Sequence, residues 1–199
     1  MPEVPVRVAS VADRAAVVST VVASFVADPA FRHFFPDDST YRACATSFVE
    51  YLFDKRVEHS SVWVTPGCEA VALWSPPASA ITEEQRSAAE HRRREMIAAV
   101  GPDAAARLAR YDETVDAALP VDGDFWYLGI LACHPDHAGS GLGRHVLDAG
   151  IRHVRSLGAT AYLETTNPAN VGYYQRAGWV EATRIDTGEP SAIWVLRVS

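Results

Sequence analysis

Residues 134–147 read H-P-D-H-A-G-S-G-L-G-R-H-V-L, and this stretch decides the interpretation of the chain. Its glycines at positions 139, 141 and 143 remove Cβ atoms where a ligand must approach the backbone, and they permit positive φ angles. Small or apolar residues follow at three- and four-residue steps: Leu142, Val146, Ala149, Gly150, Val154 and Leu157. We therefore predict a loop of exposed amides at the start of a helix that ends at Gly158, an arrangement that binds phosphate.

Two familiar phosphate-binding loops do not match this stretch. A dinucleotide fingerprint needs its third glycine where Arg144 stands, and a P-loop needs Lys and Ser or Thr after Gly143. The pattern that remains is a strand, then Pro135, then a G-x-G-x-G loop that opens a helix. The alternative to a phosphate-binding loop is a glycine-rich helix start whose glycines serve packing alone.

A second stretch, residues 163–179, reads L-E-T-T-N-P-A-N-V-G-Y-Y-Q-R-A-G-W. Together the two stretches resemble the GNAT superfamily of N-acetyltransferases over about residues 125–180. The first resembles the loop whose amides hold the pyrophosphate of coenzyme A, and the second resembles the signature of an Asn before Y-x-x-x-G-F/W. Ala138 stands where the family pattern Q/R-x-x-G-x-G/A has Gln or Arg, which removes a side-chain contact but keeps the amides.

The resemblance implies acetyl-CoA as co-substrate, held by the end of the preceding strand, by the loop and by an asparagine. The implied contacts are Leu131, Ala132, Cys133, Ala138, Gly139, Ser140, Gly141, Leu142, Gly143 and Arg144. Backbone N–H groups of residues 131–133 would orient the thioester and hold the oxyanion, so this strand is expected to be splayed from its neighbour. The family spacing places the asparagine at Asn167, and Asn170 is the alternative; either could instead be a turn residue beside Pro168.

Acetyl transfer to an amine needs a neutral amine, a stabilised oxyanion and a proton for the departing sulfur. An aliphatic amine has a pKa of ~10.4 and arrives charged, so a base must accept its proton. We predict Glu164 as that base, acting directly or through water; capping a helix or pairing with an arginine is the alternative role. The resemblance implies Tyr174 as the acid that protonates the thiolate, whereas a core aromatic is the usual role of such a residue.

Composition supports a single domain over residues 1–199, with 48% hydrophobic residues. No apolar run reaches the roughly 18 residues of a membrane span, and the first residues do not resemble a signal peptide, so a cytoplasmic protein is expected. A net charge of −7 argues against a nucleic-acid partner. No metal is expected, because His134 and His137 lack a third ligand. Cys133 is interpreted as a small packing residue rather than a nucleophile.

The remaining pattern predicts a mixed α/β sheet with the glycine loop after its middle strand. The predicted strands are residues 4–9, 61–65, 70–74, 125–133, 161–164, 179–185 and 192–198. The first predicted helix begins at Ser10 and ends at Asp28-Pro29, and an aromatic, turn-rich segment follows at 31–38. The other predicted helices span residues 40–55, 83–100, 104–119, 142–157 and 169–177. The resemblance implies a single-domain acyltransferase fold with a central, mostly antiparallel sheet, flanking helices and a splayed strand pair at the acyl-CoA site.

Within the family, the chain most resembles the puromycin N-acetyltransferase-like subgroup. The stretches that carry this likeness are V-R-V-A-S, F-V-A-D-P-A-F-R-H, S-V-W-V and A-V-A-L-W-S-P-P. This likeness implies direct transfer to the primary amine of a small, partly aromatic molecule, with the aromatic stretch 31–53 lining the acceptor pocket. A protein acceptor and a non-catalytic acyl-CoA-binding module are the alternatives. A homodimer is compatible with the resemblance.

Overall fold

A computed structural model describes residues 4–121, 123–188 and 192–199, and these residues form one seven-stranded sheet. The strands are β1 (Arg7–Val8), β2 (Val62–Val64), β3 (Ala70–Ser75), β4 (Trp126–Cys133), β5 (Ala161–Thr165), β6 (Val180–Ile185) and β7 (Ile193–Val198). Their order is β1-β2-β3-β4-β5-β7-β6, and every neighbouring pair is antiparallel except β4 and β5. The mixed, mostly antiparallel sheet and the central position of β4 are confirmed.

Helices cover both faces of the sheet. They are α1 (Arg14–Ser24), α2 (Pro29–Phe34), α3 (Asp38–Val57), α4 (Glu83–Val100), α5 (Pro102–Asp116), α6 (Leu142–Ser156) and α7 (Pro168–Arg176). The first five pack on one face around buried residues such as Val21, Phe53 and Leu73. The last two pack on the other face around Trp74, Leu147 and Tyr174. The two apolar clusters hold the central strands between two helical layers.

A β-bulge interrupts β4 in the middle of the sheet. Leu73 pairs with Ile130 and Trp74 pairs with Leu128, so Gly129 is an extra residue without an opposite partner. Because a bulge shifts the alternation of side chains, Leu128 and Ile130 belong to the apolar clusters on opposite faces of the sheet. The bulge therefore brings Tyr127, rather than Leu128, to the face covered by α1 to α5.

The parallel strands β4 and β5 separate beyond the bulge. They pair only over residues 126–128 and 161–163, whereas Glu164 and Thr165 pair with β7 alone. The C-terminal half of β4 therefore has an open edge toward β5. This confirms the splayed strand pair that the sequence predicted.

Three local expectations need correction. Residues 29–34 form a helix, because Asp28 accepts N–H bonds from Ala30 and Phe31 and a proline occupies the first helical position. The first strand covers Arg7–Val8 only. Leu157 does not join the buried stripe of α6, since it is 57% exposed where the helix ends before Gly158.

Candidate functional site

The loop of residues 138–144, here called the phosphate loop, has the predicted backbone conformation. Gly139 and Gly141 have φ angles of +75° and +83°, and a Cβ at either position would meet nothing within 4 Å. Gly143 lies inside α6, where any residue could supply the backbone, and a Cβ there would lie 3.6 Å from the Tyr173 hydroxyl. Two of the three glycines are thus required for the conformation, and both open the backbone to solvent.

Exposed amides collect at this loop. The Ser140 hydroxyl donates to the His137 carbonyl at 2.6 Å, which closes the turn before α6. Within the described part of the chain, the N–H groups of Gly139 and Gly141 have no acceptor. The Arg144 side chain is anchored by Asp148 at 2.7 Å and by the Arg176 carbonyl at 3.2 Å. The loop therefore offers free donors at the N-terminus of a 15-residue helix, which suits a phosphate.

The open edge of β4 presents amides from alternate residues. His134 donates its N–H to the Glu69 carbonyl of the neighbouring chain segment at 2.7 Å, and Ala132 is opposite Val71. Because successive N–H groups in a strand point to opposite edges, the amide of Ala132 faces β3, while those of Leu131 and Cys133 face the open edge. Of the three strand-end amides predicted to contact the thioester, those of Leu131 and Cys133 therefore face the open edge, and that of Ala132 does not.

The Cys133 side chain favours packing over nucleophilic chemistry. Its Sγ lies 3.4 Å from the His137 carbonyl oxygen, and burial raises the pKa of the thiol above its usual value. A thiol with a raised pKa is protonated at neutral pH and is a poor nucleophile.

The structure separates the two candidate asparagines. Asn167 is the N-cap of α7, where its Oδ1 accepts the N–H of Ala169 at 3.0 Å. Asn170 lies one turn further on, with its Nδ2 3.5 Å from the Thr165 hydroxyl. Its side chain lines the cavity described next. Asn167 thus has a structural partner, and Asn170 faces the site.

A cavity of about 200 Å³ lies between the helices α2 to α5 and the diverging strands. We call it the aromatic cavity, after the aromatic residues in its wall: Phe25, Phe31, Phe34, Phe48, Tyr51, Tyr111, Tyr127 and Tyr174. Glu164, Leu131 and Asn170 also line it. The fold therefore brings the predicted acid, the predicted base and the aromatic stretch of α2 and α3 to one cavity beside the open edge of β4.

Tyr174 is a core aromatic residue whose hydroxyl remains available as a donor. Its ring is 8% exposed and packs edge-to-face on Tyr173 and Trp179, with centroid distances of 5.5 and 6.2 Å. Its hydroxyl forms no hydrogen bond among the described residues. Burial raises the pKa of Tyr174 above its ordinary value, so the hydroxyl stays protonated and can serve as a donor.

Glu164 is suited to accept a proton near neutral pH. Burial raises the pKa of its carboxyl to about 7, and a hydrogen bond from the Tyr127 hydroxyl opposes this rise by stabilising the charged form. Burial also raises the pKa of Tyr127 well above its usual value, so Tyr127 remains the donor. A carboxyl with a pKa near the working pH is an effective general base.

Several polar residues around Glu164 escaped the sequence interpretation. With Glu164, the residues that line both the aromatic cavity and an adjoining cavity of about 300 Å³ are Lys55, Arg56, Tyr111, Asp112 and Tyr127. Burial lowers the pKa of Lys55 to about 7. The sequence feature that could have pointed to these residues is the adjacent basic pair Lys55-Arg56, which closely follows the apolar residues of a long helix.

The described ranges contain no group of three or more His, Cys, Asp or Glu side chains placed to hold a metal ion. No helix in them has the length and apolar character needed to cross a membrane.

Comparison with known proteins identifies relatives of this architecture. Residues 63–179 match the model of the acetyltransferase (GNAT) family. A stretch of 60 residues is 45% identical to mycothiol acetyltransferase of Propionibacterium freudenreichii subsp. shermanii, and it covers 29% of this chain but only 18% of that protein.

Solved structures share the fold at low sequence identity. A Corynebacterium glutamicum protein described as histone acetyltransferase HPA2 and related acetyltransferase has a TM-score of 0.69 at 21% identity, covering 96% of this chain and 93% of that one. The polyamine N-acetyltransferase of Drosophila melanogaster, which forms N-acetylagmatine, has a TM-score of 0.69 at 16% identity, covering 98% of both chains. At these identities the likeness establishes the fold.

Proposed function

Because the chain belongs to the GNAT family of acetyltransferases, we propose that it transfers an acetyl group from acetyl-CoA directly to the primary amine of a small, partly aromatic molecule. The observation that carries the proposal is the aromatic cavity, whose wall contains Tyr174, Glu164 and eight aromatic rings, that of Tyr174 included. A concave, aromatic-lined cavity of about 200 Å³ suits a small amine better than a protein chain.

The phosphate loop and the open edge of β4 provide a site for the co-substrate. When bound, acetyl-CoA supplies the thioester. The free amides of Gly139 and Gly141 would hold its pyrophosphate, and Ala138, Ser140, Leu142, Gly143 and Arg144 complete the proposed contact surface. The amides of Leu131 and Cys133 would orient the carbonyl and stabilise the negative charge that develops on its oxygen. Of the two asparagines, Asn170 is proposed as the contact.

Proton transfer is assigned to two side chains that line the aromatic cavity. Glu164 accepts a proton from the ammonium group, and the neutral amine forms the new C–N bond as the C–S bond breaks. Tyr174 supplies a proton to the departing sulfur and is reprotonated from the amine side. The raised pKa of Cys133 supports direct transfer without a covalent enzyme intermediate.

The relatives support an amine acceptor without specifying it. The Drosophila structure belongs to an enzyme named for polyamines. The likeness of the N-terminal stretches to the puromycin N-acetyltransferase-like subgroup adds an aromatic amine to the proposal. Three free cysteines suit a reducing compartment, so we propose a cytoplasmic enzyme. The proposed homodimer is tested by light scattering coupled to size-exclusion chromatography.

The decisive experiment joins calorimetric binding of acetyl-CoA to a thiol-release assay against small amines, puromycin included. Binding with amine-dependent thiol release supports the proposal. Release with histone peptides alone would indicate a protein acceptor, and binding without any release would indicate a non-catalytic module. Absence of binding would contradict the assignment of the phosphate loop.

A further inference from the structure

Arg56 is a buried cation without a carboxylate partner. It is 3% exposed on α3, yet its side chain lines both cavities. One guanidinium nitrogen donates to the Leu52 carbonyl at 3.0 Å, and Nε has no hydrogen-bond partner. Among the described residues, no carboxylate oxygen lies within 4.0 Å of it. A buried charge without a partner is costly in free energy, so its retention calls for a function.

The β-bulge makes room for this guanidinium. A Cβ at Gly129 would lie 2.4 Å from Nη2 of Arg56, so any other residue there would displace the guanidinium. Gly129 is two residues before Leu131, whose amide faces the open edge of β4. The cation is therefore built into the wall of the aromatic cavity, close to the proposed site of transfer.

Lys55 adds a second cation without a carboxylate partner to the same wall. Its Nζ lies 3.5 Å from the Tyr51 hydroxyl and 4.8 Å from the centre of that ring, and no carboxylate among the described residues lies within 4.0 Å. The carboxylates of the aromatic cavity already have partners. Asp28 caps α2, Asp112 lies 3.8 Å from Arg93, and Glu164 accepts from Tyr127. The wall of the aromatic cavity thus contains three basic and three acidic side chains, and Arg56 and Lys55 are the two basic groups that have no carboxylate oxygen within 4.0 Å among the described residues.

We infer that the acceptor carries a carboxylate as well as its amine, and that Arg56, assisted by Lys55, binds this carboxylate. This inference rests on the proposed function and names its substrate class, an aromatic amino acid or a similar amine with an acidic group. A guanidinium matches a carboxylate with two parallel N–H donors. The amine of such an acceptor would then lie near Glu164, which lines the same wall.

The test compares matched amines that differ in the carboxylate: phenylalanine with phenethylamine, tyrosine with tyramine, and tryptophan with tryptamine. We expect kcat/KM to be about 10- to 100-fold higher for each carboxylate-bearing member, the effect of one or two hydrogen bonds to a charged group. Equal or faster transfer to the decarboxylated amines would overturn the inference and leave the proposed function standing. Transfer to no amine at all would instead contradict the proposed function.

Variants of Arg56 and Lys55 test whether these two residues cause the preference for a carboxylate-bearing amine. Arg56→Met should remove most of the preference, so that the ratio of kcat/KM for phenylalanine to kcat/KM for phenethylamine falls close to one. Lys55→Met is the second variant, since Lys55 is half-buried and its loss should be tolerated by the fold; it should reduce the preference in the same sense. Arg32→Met is the control, because Arg32 pairs with exposed Asp38 away from the cavity. Equal loss for both amines in the Arg56 and Lys55 variants would assign a structural role and contradict the inference.

Discussion

The phosphate loop and the aromatic cavity are two parts of one proposed site that are built in opposite ways. The loop is made of backbone: two left-handed glycines expose amides at the start of one helix. The cavity is made of side chains from α2 to α5, β4, β5 and α7, and it contains carboxyl and ammonium groups whose pKa values shift toward neutrality. A backbone site depends on local spacing, whereas a side-chain site depends on burial that many distant segments create together.

Because of this difference, mutations in the two regions should act in different ways. In the loop, the backbone conformation of one or two glycines decides whether phosphate can bind, and side-chain chemistry contributes little. In the cavity, the conformation is set by the whole core, and the chemistry of individual groups decides function. The predictions below test this contrast, beginning with the largest expected effect.

Tyr174→Phe tests the chemical character of the cavity. Because its hydroxyl has no partner among the described residues and its ring is core, the variant should fold and bind acetyl-CoA normally, while kcat falls by about 100-fold or more, the range for a lost general acid. Single-turnover kinetics and calorimetry measure the two quantities. Tyr162→Phe on β5 is the control and should retain its rate. Parallel loss of binding and turnover would contradict the assignment.

Gly141→Val tests the conformational character of the loop. A β-branched residue at φ +83° is strained and places methyl groups where phosphate is proposed to bind, so acetyl-CoA affinity should fall by at least about 100-fold. Gly158→Val is the matched control, since Gly158 has φ +63°, meets nothing within 4 Å and lies at the other end of α6. Its stability should fall similarly with affinity unchanged. Tight binding by Gly141→Val would mean that the loop is misassigned.

Tyr127→Phe tests whether tertiary contacts set the acid–base behaviour. Glu164 acts as a base only when ionised, so kcat/KM should rise with pH through a limb at about pH 7. Tyr127 stabilises the ionised form, and without it the limb should move toward higher pH by about one unit, which corresponds to one hydrogen bond. In Glu164→Gln this limb should disappear, with the residual rate low at every pH. An unchanged limb in Tyr127→Phe would exclude Glu164 as the titrating group.

Gly150→Ala should have the smallest effect on function, although it lies on the helix of the phosphate loop. A Cβ there would approach the Trp74 indole to 2.4 Å, so overpacking should lower the free energy of unfolding by about 1–3 kcal/mol. Acetyl-CoA affinity and kcat should remain near the wild-type values, because the loop amides keep their conformation. Thermal denaturation and calorimetry measure both. A large loss of affinity would show that the conformation of the loop depends on the packing of the core.

The elements with strong local patterns were predictable. The apolar run of β4 marked the central strand, and the stripe of α6 marked the helix after the glycines. The prediction was wrong at residues 29–34, where Asp28-Pro29 was interpreted only as the end of a helix. The same pair also begins one, because Asp accepts the first amide hydrogens and Pro fits the first helical position. The sequence therefore marked a helix boundary at this pair, but it did not distinguish the end of one helix from the start of the next.

Sequence by itself determined the family, the sheet class, the phosphate loop, and Tyr174 and Glu164 as candidate acid and base. Each of these rests on residue patterns within single stretches of the chain, which is the range over which spacing specifies a backbone conformation. Only the tertiary structure decided that Leu131 and Cys133 present the free amides, that Asn170 rather than Asn167 faces the cavity, and that Arg56, Lys55 and Tyr127 surround Glu164. Strand register, a bulge and burial by remote helices decide these features, and none of them is encoded by any one stretch of the chain.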